Sequence, residues 1–77
     1  MSEAGLGKAI RFLREEAKMT QEALVEKSGI SASELLELEE GRADPTWGSM
    51  RQLAAALNIS MESLAELAEG FEERNTR

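Results

Sequence analysis

Seventy-seven residues allow one small domain, and an apolar content of 42% is enough to fold it, which excludes a disordered chain. Nine Lys and Arg against fifteen Asp and Glu leave a net charge of −6, which repels a polyanion unless the bases gather on one face. Without cysteine or histidine there are no disulfides, thiolate nucleophiles, zinc sites or imidazole bases, so neither a metal, a cofactor nor an enzyme activity is expected.

The apolar runs, such as Leu53 to Leu57, fall far short of a bilayer span, and MSEAGLGK lacks the apolar middle of a signal peptide. The expected setting is the cytoplasm, away from any membrane. The bases are partly gathered: Lys8, Arg11, Arg14 and Lys18 lie close together near the start, whereas Ser31 to Gly41 holds four glutamates and no base.

In chain order the pattern predicts helices with short joints. Leu6, Ile10, Leu13 and Ala17 fall on one face of a first helix over about Leu6 to Lys18, with Phe12 off that stripe and placed to pack against a chain end. Thr20 is an N-cap for a second helix over 20–28, and Glu22 suits its positive end. Gly29 supplies a turn residue that tolerates positive φ. A third helix over 31–40 opens on Ser31 with Glu34 three residues on, the spacing of a capping box in which Glu34 reaches back to the cap amide. Ile30, Leu35 and Leu38 then face inward.

After Gly41, Pro45 disfavours a helical Asp44 and so sets a loop. Thr46 caps a fourth helix whose expected inner face is Trp47, Met50, Leu53, Ala54 and Leu57, with Asn58 closing it. Ser60 caps a fifth, in which Met61, Leu64, Ala65 and Ala68 form one stripe and Leu64, Leu67, Ala68 and Phe71 a second, overlapping one. Gly70 is expected to fray that helix, leaving 71–77 as a polar tail. The spare edge formed by Leu67 and Phe71 suits a homodimer about a twofold axis.

The order TQEALVEKSGIS, a short helix, then LEEGRADPTWGSMRQLAAALNIS resembles the lambda-repressor-like, Cro/cI-type helix-turn-helix family over roughly Leu6 to Glu69. The resemblance implies an all-α, compact five-helix bundle, with residues 1–70 as the domain. It implies a sequence-specific, DNA-binding transcriptional regulator whose third helix enters the major groove of double-stranded DNA. Ser31, Ala32, Ser33 and Glu37 then belong to the base-facing end and side, with Leu36 and Glu34 at its edges, while Gln21 and Arg42 meet phosphates. Arg14 and Glu39 match positions that form an ion pair between helices one and three.

Plainer readings stand beside these. Gln21 can be an exposed helix residue, Arg42 a solvated loop charge, and Glu34 a cap rather than a base reader. The third helix also departs from the family in its acidic face, in exposed Leu36, and in the nearby Val25 where a small alanine is usual. Those departures motivate an alternative: a protein-interaction module on the same scaffold, binding a partner through the acidic, Leu36-bearing third helix.

Overall fold

The computed structural model describes the backbone of residues 3–43 and 45–75, and the side chains of residues 4–43 and 45–72. Asp44 and the last two positions of the expected tail lie outside these. Among the described residues the chain is all helix and loop: α1 (Glu3–Glu16), α2 (Gln21–Ser28), α3 (Ala32–Glu39), α4 (Trp47–Ala56) and α5 (Met61–Asn75).

Each joint has a local cause. Thr20, Ser31 and Thr46 hold extended backbone and accept, through their hydroxyls, the amides of Ala23, Glu34 and Ser49, each at 3.0 Å. Ser60 does the same for Ser63 at 3.0 Å, so α2 to α5 all start on a hydroxyl cap. At the other ends the chain turns through left-handed residues: Lys18 (φ 57°), Gly29 (φ 83°), Gly41 (φ 73°) and Asn58 (φ 58°). The amide after Gly41, that of Arg42, returns to Glu37 O at 2.9 Å, and the Gly41 amide returns to Leu38 O at 3.1 Å. That pair of bonds is a Schellman closure, and Lys18 and Asn58 sit in matching ones.

The core joins all five helices and their joints: Leu6, Ala9 and Ile10 from α1, Leu24 from α2, Ile30 from the turn, Leu35 and Leu38 from α3, Met50 and Leu53 from α4, Leu64 and Ala68 from α5. Two helices of two turns each gain little stability alone: α3 packs against α1 and α2 against α4, and α5 braces α1 and α4 in turn. α1 packs most extensively on α5 and also touches α3.

Two expectations are corrected. Trp47 is not core: it is 66% exposed. The buried arc of α4 swings from Ala54 and Met50 round to Ser49, and at about 100° per residue Trp47 lies on the far side of Met50, just past the edge of that arc. Nor does α5 stop at Gly70. It continues to Asn75, with Phe71 and Glu72 half-buried, so 71–75 is helix rather than tail. Phe71 follows Leu67 by one turn and rests edge-on against Phe12, with ring centroids 5.9 Å apart. Packing there overrides the cost of a helical glycine.

Candidate nucleic-acid interface

The site is built from the back of α3 outward. Glu39 faces inward on α3, and its side chain is fully buried. Arg14 from α1 meets it with two prongs, Nε to Oε2 at 2.7 Å and Nη2 to Oε1 at 2.9 Å. The third guanidinium nitrogen donates to the Met19 carbonyl at 3.0 Å, which ties the close of α1 to the same centre. Gln21, the first residue of α2, donates its Nε2 to Glu39 Oε1 at 3.0 Å. Arg11 approaches the same oxygen at 3.6 Å. One carboxylate thereby fixes α1, α2 and α3 relative to one another.

Burial alone pushes the Glu39 carboxyl up, but hydrogen bonds from Arg14 and Gln21 and the charges of Arg14 and Arg11 outweigh it, holding its pKa below the ordinary carboxylate range. The hydrogen bond to Glu39 raises the pKa of Arg14 in turn, against the opposing effect of burial. Both groups are charged at neutral pH, and the pair is of the hydrogen-bonded, two-pronged kind that is strongest.

Outward from this hub, α3 carries the expected face. Ala32, Ser33 and Leu36 are exposed, Leu36 at 42%, and Glu37 is half-buried beside them. Leu35, Leu38 and Glu39 point the other way into the bundle. Val25 is half-buried and lines an open groove between α2 and α3 with Gln21, Glu22, Glu26 and Ala32. Ser31 sits at the entry as the cap of α3, its hydroxyl committed to the Glu34 amide.

One residue is placed otherwise than the residue spacing implies, and two others hold partners within the chain. Glu34 turns to α4, where its Oε2 accepts the Ser49 hydroxyl, instead of reaching back to the cap amide of Ser31. Ser49 in turn accepts the Thr46 hydroxyl at 3.0 Å, so a relay of three side chains joins the first turns of α3 and α4. Gln21 has spent one amide N–H on Glu39. Arg42 is in contact with carboxylates: its Nη2 lies 2.6 Å from Glu40 Oε1 and 3.2 Å from Glu37 Oε2.

Ser49 and Thr46 are the residues that sequence reasoning missed as partners of α3. Their Thr-x-x-Ser spacing reads as a cap, and nothing in it reveals a carboxylate fifteen residues upstream. Among the described residues no cluster of acidic side chains is arranged to hold a metal ion, and no helix is long and apolar enough to cross a membrane.

This geometry has known counterparts. A family of helix-turn-helix domains matches residues 7–70. The chain belongs to the lambda-repressor-like helix-turn-helix family. It is 40% identical over 68 residues to the HTH-type transcriptional repressor RghR of Bacillus subtilis (strain 168), which covers 87% of this chain and 50% of that protein. It is 34% identical over 59 residues to the immunity repressor protein of Bacillus phage phi105, which covers 77% of this chain and 41% of that protein. The chain therefore spans half or less of the length of these two curated relatives. The solved structure of the clp gene regulator ClgR from Corynebacterium glutamicum superposes with a TM-score of 0.87 at 28% identity, covering 96% of this chain and 80% of that one. The chain thus carries a helix-turn-helix domain of the kind found in proteins named as transcriptional repressors and regulators. The protein-interaction alternative gains nothing from relatives named as repressors and regulators.

Proposed function

We propose that this chain acts as the DNA-binding domain of a cytoplasmic transcriptional regulator, with α3 in the major groove and α2 lying across the sugar-phosphate backbone. The observation that carries the reading is the two-sidedness of α3. Ala32, Ser33, Leu36 and Glu37 line its open side, while Leu35, Leu38 and the clamped Glu39 fix its back to α1 and α2. A recognition helix needs this arrangement, because side chains can read base edges only if the helix that carries them does not move.

Each side chain then has a chemical task. Ser33 can donate to or accept from base edges, Ala32 and Leu36 can meet a thymine methyl, and Glu37 can accept from a cytosine amino group. Gln21 keeps a second amide N–H for a phosphate beyond the one given to Glu39, and the free amides at the start of α2 favour the same anion. Arg42 serves a phosphate on the opposite wall. Ser31 and Glu34 position α3 through the cap and through Ser49 rather than by touching bases.

The same reading includes a homodimer formed along α5. Half-buried Leu67 and Phe71, with exposed Phe12 of α1 beside them, make an apolar strip. A twofold axis through such a strip can set two copies of α3 one turn of DNA apart.

Fluorescence anisotropy with a random-sequence duplex, at about 50 and 200 mM salt, tests the reading. Arg42 is the cation among these contacts, and one charged contact predicts roughly a three- to fourfold loss of affinity across that range, because counterions released on binding must be recaptured. Gln21→Ala with Arg42→Ala is expected to flatten the dependence. No binding at the lower salt overturns the reading.

A further inference from the structure

Arg42 leaves the Schellman closure at Gly41 with its backbone amide bound to Glu37 O and its guanidinium between two carboxylates of the recognition helix. One nitrogen, Nη2, serves both Glu40 at 2.6 Å and Glu37 at 3.2 Å. All three side chains are open to solvent: Arg42 is 60% exposed, Glu37 41% and Glu40 37%. This ion triad is not part of the packed scaffold. Glu39, one residue before Glu40, is already committed to α1 and α2, and nothing in the core depends on Glu37 or Glu40.

We propose that Glu37 and Glu40 are specificity-determining residues that compete with DNA phosphate for Arg42. The proposal rests on the DNA-binding reading above. On an arbitrary duplex, a phosphate approaching Arg42 must displace two carboxylates that are already paired with it and that also repel the backbone on either wall of the groove. Binding is therefore weakened wherever the bases opposite offer Glu37 nothing. A cytosine opposite Glu37 changes the balance. Its amino group donates to the carboxylate, replaces Arg42 as the partner of Glu37, and frees the guanidinium for the phosphate. Guanine and thymine oxygens present only acceptors to Glu37 in the major groove, so the carboxylate stays on Arg42. The acidic face of α3 in this way lowers non-specific affinity and leaves the specific site less affected.

A double-mutant cycle on Glu40→Gln and Arg42→Ala, read by anisotropy with random duplex across about 50 to 200 mM salt, tests the competition. Exposed ion pairs are weak, so Glu40→Gln is expected to tighten binding by roughly two- to fivefold. Relieving the competition also steepens the dependence of log K on log salt, by no more than about 0.9. In the Arg42→Ala background both effects are expected to shrink to the part that relief of repulsion alone gives. An equal gain in that background means only a general relief of charge, and overturns the competition, as does no gain in either. If wild type, Glu40→Gln and Arg42→Ala all fail to bind at the lower salt, the DNA-binding reading itself falls, which separates the two failures. Selection from the random pool tests the base: wild type is expected to enrich cytosine at a position where Glu37→Gln loses that preference. Enrichment unchanged by Glu37→Gln overturns the assignment of Glu37.

Discussion

Gly7 of α1 lies directly beneath the Leu38 carbonyl of α3: a Cβ placed on Gly7 comes within 2.0 Å of that oxygen and 3.2 Å of the Glu39 Cα. The obstacle is backbone, not a flexible side-chain tip, so the two helices must separate to admit a methyl group. Gly70 of α5 is the opposite case, with nothing within 4 Å of the same position. Gly7→Ala is therefore expected to destabilise by about 1–3 kcal/mol, overpacking outweighing the gain in helix propensity. Gly70→Ala is expected to stabilise by about 0.5–1 kcal/mol, since only propensity acts there. Urea denaturation of the two variants checks both signs, and a stable Gly7→Ala protein contradicts the close approach of α1 and α3.

The Arg14–Glu39 pair gives stability a direction in pH. Glu39 has a pKa below its unfolded value, so its contribution is fully present above the ordinary glutamate value of about 4.3 and is lost as pH falls through the lower folded value. Glu39→Gln removes the charge and leaves Arg14, whose side chain is only 12% exposed, without its partner. Breaking a buried pair from one side typically costs about 3–5 kcal/mol, enough to consume most of the stability of a domain this small. The expected result is a large loss at pH 7 and a shallower fall than wild type between about pH 5 and pH 3. Parallel acid limbs in urea titrations contradict the assignment of that slope to Glu39.

Much of this was legible in the sequence for a physical reason: caps and stripes are local. Thr20, Ser31, Thr46 and Ser60 each bond an amide three residues on, so four helix starts can be read from spacing alone. What spacing cannot show is where an exposed charge finds its partner after folding. Arg42 was legible as a cation just past the third helix, but not its capture by Glu40 and Glu37. Glu34 was legible as half of a capping box, yet Ser49 became its donor once α4 docked against α3. Gly70 carried a true propensity signal that the contact between Phe12 and Phe71 overrode.

Trp47 is the sole tryptophan, and its exposure predicts its spectroscopy. Its emission is expected to lie at the red end typical of hydrated indole and to be quenched by acrylamide in the folded protein. Trp47→Ala is expected to change stability by no more than about 0.5 kcal/mol, as for other surface positions. A blue-shifted, protected emission from the monomer would place the ring in the core instead.

The homodimer proposed along α5 rests on the strip of Leu67, Phe71 and Phe12. Carboxylates introduced there put like charges against each other across a twofold axis, where each residue faces its own neighbourhood in the second copy. Leu67→Glu with Phe71→Glu is expected to halve the mass in solution, measured by sedimentation. Both side chains are half-buried and pack against the core, so the double variant also risks unfolding. Phe12→Glu separates the two effects, because Phe12 is 43% exposed and lies outside the buried cluster. A folded Phe12→Glu protein that loses the dimer supports the strip. If the mass is unchanged in the folded double variant, α5 is not the interface, and two recognition helices would have to be brought to DNA by another part of the chain.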